Sequence, residues 1–369
     1  MKIIATVIND LTYDQRMIRI CSSLAKAGYE VELVGRVLPQ SKAIIPQAFQ
    51  QKRLKCWFNK GKFFYLEYNI RLFFYLLFQQ QDLIYSVDLD TILPGFWVAK
   101  WKGKPQVYDA HEYFTEVPEV VHRPRVKRIW EWVAQHTIPR IQYCYTVCES
   151  LADLFEQQYG TPFEVIRNVN YKSNWKLKSI YSNNLSFSSD RIFLYQGALN
   201  EGRGLEAMIR AMQYVEGVQF CLAGEGDLSQ ELRALAQELG LGEKVKFLGY
   251  VLPKDLPALS QTAYAGINLL ENKGRSYYYS LANKTFDYIQ ADLPAIHIGF
   301  PEYQKVNAMY EVAILVPDLQ IETLVESIQK LLNDKAFYNR LQANCRLAAE
   351  VFHWEHEEQK LLAFFKKIE

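Results

Sequence analysis

The feature that most constrains the fold of this chain is an alternation of short apolar runs with amphipathic helical patterns, which continues through both halves of the sequence. Short apolar runs bounded by turn residues predict buried strands, whereas apolar residues spaced three and four apart predict helices packed against them. Strands that alternate with helices favour parallel sheets covered by helices. The sequence therefore predicts an α/β fold.

Each half of the chain supplies its own set of strands and helices. In the first half the predicted strands are Ile3–Ile8, Val31–Gly35, Leu83–Val87, Gln106–Asp109, Tyr143–Val147 and Val165–Arg167. In the second half they are Ile192–Tyr195, Val218–Ala223, Val245–Leu248, Ala265–Leu270, Leu293–Ile298 and Val312–Val316. The main predicted helices are Asp14–Ala27, Ser150–Tyr159, Leu228–Leu239 and Phe352–Ile368.

The length of 369 residues suits two domains. The stretch Asn170–Asp190 is rich in Ser, Asn, Lys and Tyr and lacks periodicity, which predicts a linker. We expect an N-terminal domain over residues 1–172, a C-terminal domain over residues 190–352, and a final helix over residues 353–369 that returns toward the first domain. Ligands of doubly wound sheets bind beyond the carboxyl ends of the strands, so functional residues are expected in the loops after strands.

Charge and cysteine content limit the function classes. A net charge of +1 gives no bulk electrostatic attraction to nucleic acid. Cys144 and Cys148 are spaced like a pair of zinc ligands, but no second pair of Cys or His lies nearby in the sequence to complete a zinc site. We interpret all six cysteines as reduced thiols in a cytoplasmic protein, and the start of the chain does not read as a secretory leader.

No segment reaches the ~20 apolar residues needed to span a bilayer. The nearest approach is Lys62–Phe78, KFFYLEYNIRLFFYLLF, which is aromatic, basic at its start and helical in pattern. Two interpretations remain open. The segment is either a helix buried against the sheet or a helix that makes a peripheral contact with the inner face of a membrane.

The loop Tyr195–Gly204, YQGALNEGRG, follows an apolar run and precedes a helical pattern. A strand, a glycine loop and a helix in this order bring backbone amides and a basic side chain to a phosphate. Arg203 offers a guanidinium that binds a diphosphate through two hydrogen bonds. The alternative is a tight turn with a surface arginine.

A second loop and helix occur in Ser280–Ile296, SLANKTFDYIQADLPAI. A helix that opens near Asn283 presents free N–H groups and positive partial charge, which suit phosphate oxygens. About one turn further along the helix, Asp287 could accept hydrogen bonds from sugar hydroxyls. The alternative is a capped helix with a solvated aspartate.

Together these motifs resemble the GT-B fold retaining glycosyltransferases of family 4. The second half contributes YQGALNEGRGLEAMIRAM, FCLAGEGDL, VKFLGYV and SLANKTFDYIQADLPAI. The first half contributes NDLTYDQRMIRICSSLAKAGYEVELVGR, SVDLDT, YDAHEYFTEVPE and VIRNV. The resemblance covers almost the whole chain and implies two Rossmann-like, doubly wound domains that face each other across a cleft.

The resemblance also implies a role for each matching position. The residues expected at the donor diphosphate are Gly197, Arg203, Gly204, Asn283 and Lys284, and those expected at the nucleotide are Gly224, Glu225 and Asp287. In the first domain, His111 is expected to touch the transferred sugar or the reacting centre and Asp109 to orient it. The residues expected on the acceptor side of the cleft are Asn9, Asp14, Arg16, Glu112 and Glu116.

Two positions depart from the family pattern. Ala198 stands where the family usually has an arginine, and Tyr279 stands where the first glutamate of a paired-glutamate motif is expected. Lys284 is a candidate for the compensating charge. The departures leave open a non-catalytic partner subunit of the same fold, and a nucleotide-sugar epimerase of related fold is a further alternative.

The sequence Asp88–Leu89–Asp90 resembles a different signature, the metal-binding D-x-D of the GT-A fold. The alternating pattern and the donor motifs downstream argue against that fold. We interpret Asp88 as a residue at a strand end and Asp90 as a turn or helix cap. No metal site is expected.

The implied reaction moves a sugar, with retention and without metal, from a nucleotide-sugar to a glycan or lipid-linked acceptor. Cations and helix N–H groups would stabilise the departing diphosphate. The donor is expected to carry UDP or GDP, and no other cofactor is expected.

Overall fold

The computed structural model describes residues 1–12, 14–172 and 191–369, and the chain divides into two compact units. Unit 1 comprises Met1–Asn168 and Glu357–Glu369, and unit 2 comprises Val169–His356. Most of the linker predicted at 170–190 lies outside the described residues.

Unit 1 is built on a seven-stranded sheet in which all neighbouring strands are parallel. Its strands are β1 (Lys2–Thr6), β2 (Glu30–Arg36), β3 (Gln50–Leu54), β4 (Leu83–Val87), β5 (Gln106–Ala110), β6 (Tyr143–Thr146) and β7 (Glu164–Val165). Their order in the sheet is β3-β2-β1-β4-β5-β6-β7, which is the doubly wound order of a Rossmann-like domain.

The helices of unit 1 connect these strands. They are α1 (Gln15–Lys26), α2 (Gly61–Phe78), α3 (Leu89–Lys102), α4 (Pro118–Val121), α5 (Pro124–Thr137) and α6 (Glu149–Tyr159). Parallel crossover connections are right-handed, and the chain crosses in one direction from β3 to β4, from β4 to β5 and from β5 to β6. Helices α2, α3 and α5 therefore cover the same face of the sheet, where α3 packs against both of the others.

Unit 2 repeats the same plan with six parallel strands. They are β8 (Ile192–Gln196), β9 (Gln219–Ala223), β10 (Val245–Gly249), β11 (Ala265–Asn268), β12 (Ala295–Ile298) and β13 (Ala313–Val316), in the order β10-β9-β8-β11-β12-β13. The helices are α7 (Leu205–Ala211), α8 (Ser229–Glu238), α9 (Leu256–Thr262), α10 (Arg275–Tyr278), α11 (Asn283–Gln290), α12 (Pro301–Tyr310), α13 (Ile321–Asn333) and α14 (Lys335–Ala349). The last helix, α15 (Trp354–Lys366), begins in unit 2, and its residues from Glu357 onward belong to unit 1.

Each sheet reverses its strand order at one point, between β1 and β4 in unit 1 and between β8 and β11 in unit 2. The loops at the carboxyl ends of these two strands diverge at such a point and leave a crevice in which ligands bind. The fold therefore directs attention to the loop after β8 and to the residues that follow β1, β4 and β5.

The predicted α/β class is confirmed, and each predicted strand overlaps an observed one, although the strand predicted at Val165–Arg167 is observed at Glu164–Val165. The strand β3 was missed because its sequence, QQKRL, is polar and only half-buried at the sheet edge, so it lacks an apolar pattern. The strand predicted from Leu293 begins two residues later at Ala295. All six cysteines are free thiols, and only Cys56 is not buried.

Helix α2 confirms that the segment Lys62–Phe78 is a helix packed against the sheet, and the contact with a membrane stays a prediction. One side packs into an apolar cluster with β1 and β4 through Phe64, Tyr68, Leu72 and Leu76. The opposite side is also apolar but exposed, with Leu66 at 60% exposure. No helix in the described part of the chain is long and apolar enough to cross a membrane.

Replacing a leucine on each side of α2 separates the roles of its two faces. We expect Leu72→Ala to lower the free energy of unfolding by about 2–5 kcal/mol, because it opens a cavity in the core. We expect Leu66→Ala to change it by less than about 0.5 kcal/mol, because that side chain is exposed. Urea unfolding of the two variants and the wild type measures the difference, and equal losses would contradict the assignment of the faces.

Candidate functional site

The loop after β8 in unit 2 is held by close backbone contacts that require glycine. A Cβ atom on Gly224 would lie 1.9 Å from the carbonyl oxygen of Gly197, and one on Gly204 would lie 2.4 Å from the carbonyl oxygen of Leu269. Gly197 and Gly204 also have φ values of 132° and 64°. Because glycine alone tolerates these conformations without strain, the loop lies directly against the ends of the neighbouring strands.

Lys284 lies beside the start of this loop. Its side chain is 9% exposed, and its Nζ atom lies 3.6 Å from the centre of the Tyr195 ring and 3.4 Å from the position of a Cβ atom on Gly197. Burial lowers the pKa of Lys284 well below its ordinary value, and the charge of Arg203 lowers it further, although Asp287 opposes this. Within the described residues the Lys284 ammonium has no carboxylate within ion-pair distance.

Arg203 is the second cation at this loop. Its guanidinium carbon lies 4.8 Å from the centre of the Tyr277 ring. Its Nε atom is buried and has no hydrogen-bond partner in the described part of the protein. The guanidinium has no carboxylate partner there either. Two neighbouring cations without a partner anion make a site that attracts an anion.

The amino terminus of α11 adds a third feature. The helix begins at Asn283, as predicted, and its N-cap residue Ala282 supplies no side-chain oxygen to the first turn. The first N–H groups of a helix have no acceptor within the helix and carry positive partial charge. Asn283 is exposed and Lys284 follows it, so this end of the helix presents N–H groups beside the two cations.

Asp287 lies one turn further along α11 and is fixed by side-chain amides. Its two carboxylate oxygens accept hydrogen bonds of 2.6 Å from Gln196 and 2.6 Å from Asn170. Ser260 in turn donates to the amide oxygen of Gln196 at 2.9 Å. These amides fix the direction of the Asp287 carboxylate, and a carboxylate can accept about four hydrogen bonds in all.

Glu225 follows Gly224 at the end of β9. Its carboxylate forms an exposed ion pair of 2.6 Å with Arg233. The amide of Leu199 donates to the carbonyl of Glu225, so the loop after β9 is tied to the loop after β8.

The two residues that depart from the family pattern have structural contacts of their own. The carbonyl of Ala198 accepts a hydrogen bond from the Tyr195 hydroxyl, and Tyr279 ends the short helix α10.

In unit 1 the predicted residues Arg16, Asp109 and His111 come together. Asp109 is fully buried and forms an ion pair of 2.9 Å with Arg16. The hydroxyl of Tyr85 also donates to Asp109, at 2.8 Å. Burial opposes the charge of Asp109, but Arg16 and His111 outweigh it and hold the pKa of this carboxyl well below its usual range. Asp109 is therefore a fixed negative charge at the end of β5.

The His111 ring is 23% exposed and lies between opposite charges. Its Nε2 atom is 2.8 Å from Nε of Arg16 and 3.0 Å from Oδ2 of Asp109, and its Nδ1 atom is 3.5 Å from Oδ2 of Asp88. Burial lowers the pKa of His111, but Asp109 and Asp88 raise it more, so the net shift is upward. The neutral ring accepts from Arg16, and the protonated ring donates to the carboxylates.

Asp88 joins this cluster at the end of β4. Its carboxylate accepts the backbone N–H of His111 at 2.8 Å. Its backbone has φ 55° and ψ 172°, a conformation that costs about 1–3 kcal/mol for a residue other than glycine. Strained backbone of this kind occurs mainly at functional sites. Because the strained residue contacts His111, the cluster is a candidate functional site.

The interpretation of Asp90 as a turn or cap is wrong. Asp88 occupies the N-cap position of α3, and Asp90 lies in the first turn with its side chain buried. Burial raises the pKa of Asp90, and the nearby carboxylates of Asp88 and Glu112 raise it further. The described residues contain no group of three or more His, Cys, Asp or Glu side chains arranged to hold a metal ion.

The other residues predicted on the acceptor side have local partners. Asn9 donates to Asp14 at 2.5 Å, and Asp14 caps α1 by accepting the N–H of Met17. Glu116 pairs with Lys127, and Glu112 is exposed next to His111. Residues Asn9 and Asp14 thus shape the loop after β1, and Arg16 extends from the first turn of α1 to Asp109.

Several residues at the two sites were not predicted. They are the aromatic partners Tyr277, Tyr85 and Tyr145 and the polar residues Gln196, Ser260 and Asn170. Gln196 ends β8 and Tyr85 lies in β4, and the strand order of each sheet reverses beside one of these strands. This position in the sequence is the signal that could have identified them.

Comparison with known proteins adds family matches to this geometry. Residues 179–348 match the family described as glycosyl transferases group 1, and residues 15–169 match glycosyltransferase family 4. An uncharacterized glycosyltransferase of Methanocaldococcus jannaschii is 27% identical over 131 residues, which cover 32% of this chain and 34% of the relative. The chain thus matches about a third of that relative's length.

Solved structures resemble the chain along its whole length. A sucrose-phosphate synthase from Thermosynechococcus elongatus has a TM-score of 0.83 at 17% identity and covers 100% of this chain and 99% of its own. The Anabaena protein HepE, in complex with UDP and glucose, has a TM-score of 0.79 at 15% identity and covers 100% of both chains. At these identities the likeness shows a shared fold.

The buried ammonium of Lys284 predicts a pH dependence of stability. Since its pKa is lowered in the folded protein, the unfolded chain binds more protons between that pKa and the ordinary lysine value of about 10.4. Stability therefore rises with pH in this window, by at most about 1.4 kcal/mol per pH unit. Relative to Lys284→Met, we expect the wild type to gain stability from pH 7 to pH 10 in urea unfolding.

Lys254→Met is a matched control for this measurement, because it replaces an exposed lysine of the same unit in the same way. Parallel profiles for the wild type and Lys284→Met would contradict the lowered pKa.

Proposed function

The chain belongs to the group 1 glycosyltransferases of the GT-B fold, and on this basis we propose that it transfers a sugar from a nucleotide-sugar donor to a glycan or lipid-linked acceptor. We further propose that transfer proceeds with retention and without a metal ion. The observation that supports the donor site best is the pair of cations, Lys284 and Arg203, that lack a partner anion beside a glycine loop.

A diphosphate fits this site by charge and by hydrogen bonding. Arg203 can bind two phosphate oxygens at once, whereas Lys284 acts as a point charge. The Lys284 ammonium lies close to the backbone of Gly197. The amino terminus of α11 adds N–H donors for the same oxygens. Lys284 thereby supplies the charge that Ala198 does not provide.

Binding of a diphosphate also favours the protonated form of Lys284. The negative charge of the diphosphate favours the ammonium form and so raises the pKa that burial lowers. Asp287 would accept the ribose hydroxyls while Gln196 and Asn170 hold its carboxylate in place. The similarity to HepE in complex with UDP makes UDP the first nucleotide to test.

The chemical step breaks the bond between the anomeric carbon and the diphosphate oxygen. The electron pair of this bond stays on the diphosphate, where Arg203, Lys284 and the α11 N–H groups stabilise the new charge. An acceptor hydroxyl oxygen forms the new bond on the same face of the sugar, and its proton passes to the departing phosphate. This front-face path gives retention without a protein nucleophile.

In unit 1 we assign His111 to the transferred sugar or the reacting centre. Its ring is partly exposed, whereas Arg16 and Asp109 of the same cluster are buried. The cluster holds the ring from both nitrogens, so it positions His111 for one contact rather than leaving it free to rotate. Asp109 and Arg16 are positioning residues in this proposal.

Replacing Arg203 tests the donor site. Hydrogen bonds to charged groups contribute about 1.5–3 kcal/mol, so we expect Arg203→Ala to weaken nucleotide binding by about 10- to 100-fold. Isothermal titration with UDP, GDP and ADP, each with and without EDTA, measures affinity and metal dependence. Arg210→Ala, an exposed arginine on α7, serves as the control and should bind like the wild type.

Unchanged affinity in Arg203→Ala would disprove the assignment of the diphosphate site. Loss of binding in EDTA would disprove metal independence, and binding of no nucleotide by the wild type would favour a non-catalytic subunit.

Replacing His111 tests the second site. We expect His111→Ala to lower kcat by about 100-fold or more while nucleotide affinity stays within a few-fold, because the contact forms at the reacting sugar. Release of nucleoside diphosphate from the preferred donor, with lipid-linked and polysaccharide acceptors, measures the rate. The exposed His122 gives the matched control, His122→Ala, and equal rates in both variants would remove His111 from the mechanism.

A further inference from the structure

We propose that helices α2, α3 and α5 of unit 1 form a docking surface for an anionic lipid bilayer. The three helices lie side by side on one face of the sheet, because their crossovers run in the same direction. Phe73 of α2 packs on Trp101 of α3, with ring centres 5.6 Å apart, and Tyr65 of α2 packs on Trp130 of α5 at 5.5 Å. Their outer sides therefore make one continuous surface.

This surface is apolar where the outer layer of an α/β domain is ordinarily polar. Most of the large apolar side chains that are exposed in the described structure lie between Trp57 and Trp132. Trp57 is 83% exposed, Trp101 66% and Phe74 51%. A helix that is apolar on all sides, as α2 is, requires a cover on its second side.

The charges on the same helices point to the nature of that cover. Lys62 and Lys100 are exposed beside Phe63 and Trp97, with ammonium-to-ring distances of 5.1 and 5.8 Å. Exposed arginines Arg125 and Arg128 lie on α5. Tryptophan and phenylalanine flanked by lysine and arginine are the residues that bind the boundary between lipid headgroups and acyl chains.

The acidic residues of the three helices do not oppose an anionic surface. Glu67 pairs with Arg71 at 2.7 Å, Asp90 is buried, and Glu131 lies 3.9 Å from Lys127. The exposed cations of these helices, Lys62, Lys100, Arg125 and Arg128, therefore outnumber the one acid whose side chain is substantially exposed, Glu131. The charge complement of such a surface is a sheet of phosphate headgroups.

Glu67 also fixes the most exposed aromatic side chain. Its carboxylate accepts the backbone N–H groups of Trp57 and Phe58, at 2.9 Å each. The guanidinium carbon of Arg71 lies 4.8 Å from the Trp57 ring centre. The segment before α2 is thus held against the helix, and Trp57 projects from an ordered backbone.

The proposal goes beyond sugar transfer, because it concerns where the protein is held rather than what it catalyses. Sedimentation of the 369-residue chain with lipid vesicles tests it without any substrate. Vesicles of phosphatidylcholine alone are compared with vesicles that also contain phosphatidylglycerol, each at low and high salt. We expect binding to the anionic vesicles, weakened by salt, and little binding to the neutral vesicles.

Two triple variants separate the apolar and the electrostatic contributions. Phe63→Ser, Phe74→Ser and Trp101→Ser remove exposed rings, and we expect about 100-fold weaker partitioning. Lys62→Gln, Lys100→Gln and Arg128→Gln remove exposed charge, and about fivefold per cation again gives about 100-fold. The matched controls lie in unit 2, where Tyr214→Ser, Met309→Ser and Leu347→Ser replace residues of similar exposure.

Circular dichroism melts and nucleotide titrations establish that each variant is folded and keeps its donor site. Loss of vesicle binding in both triple variants, with binding kept in the control, is the result that we expect. Failure of the wild type to bind anionic vesicles would overturn the proposal, as would binding by the triple variants at wild-type strength. A dimer in light scattering that the ring variant disperses would instead assign the surface to a second copy of the chain.

Discussion

The structure depends on one constraint, which is that all strands of each sheet run in the same direction. Parallel strands require a crossover at every step, and right-handed crossovers decide which face each helix covers. The same arrangement brings the carboxyl ends of all strands to one edge. In unit 2 this edge carries the loop after β8 and the start of α11, and in unit 1 it carries the residues that follow β4 and β5. Both candidate sites follow from this geometry.

The two sites treat buried charge in opposite ways. In unit 1 the charges of Arg16 and Asp109 are matched, so the cluster is stable as it stands and presents one partly exposed histidine. In unit 2, Lys284 and Arg203 lie together without an anion among the described residues, and burial lowers the pKa of Lys284. Burying unmatched charge costs free energy, which a bound anion would recover. The side chains of the first site are therefore held in place without a ligand, whereas the charges of the second site are balanced only when an anion binds.

The helix layer of unit 1 shows how a single element can serve two surfaces. The inner side of α2 fills the core beneath it, and its outer side, with α3 and α5, leaves aromatic rings and cations exposed. Core packing alone requires only one apolar side of a helix. The second apolar side is therefore a feature of the surface, and it is independent of the residues that we propose to bind the donor.

The sequence alone determined the α/β class, the strands of both sheets except the polar edge strand β3, and the family to which the chain belongs, because these depend on local periodicity and on motif order. It also identified Arg203, Lys284, Asp109 and His111 as candidates. Only the tertiary structure decided that Asp90 is buried in a helix, that Gln196 and Asn170 hold Asp287, and that Tyr195 lies beneath the Lys284 ammonium. These contacts join residues that are far apart in the chain, and the burial of Asp90 depends on the direction of its side chain. Neither periodicity nor motif spacing encodes which strand ends lie next to each other in the sheet.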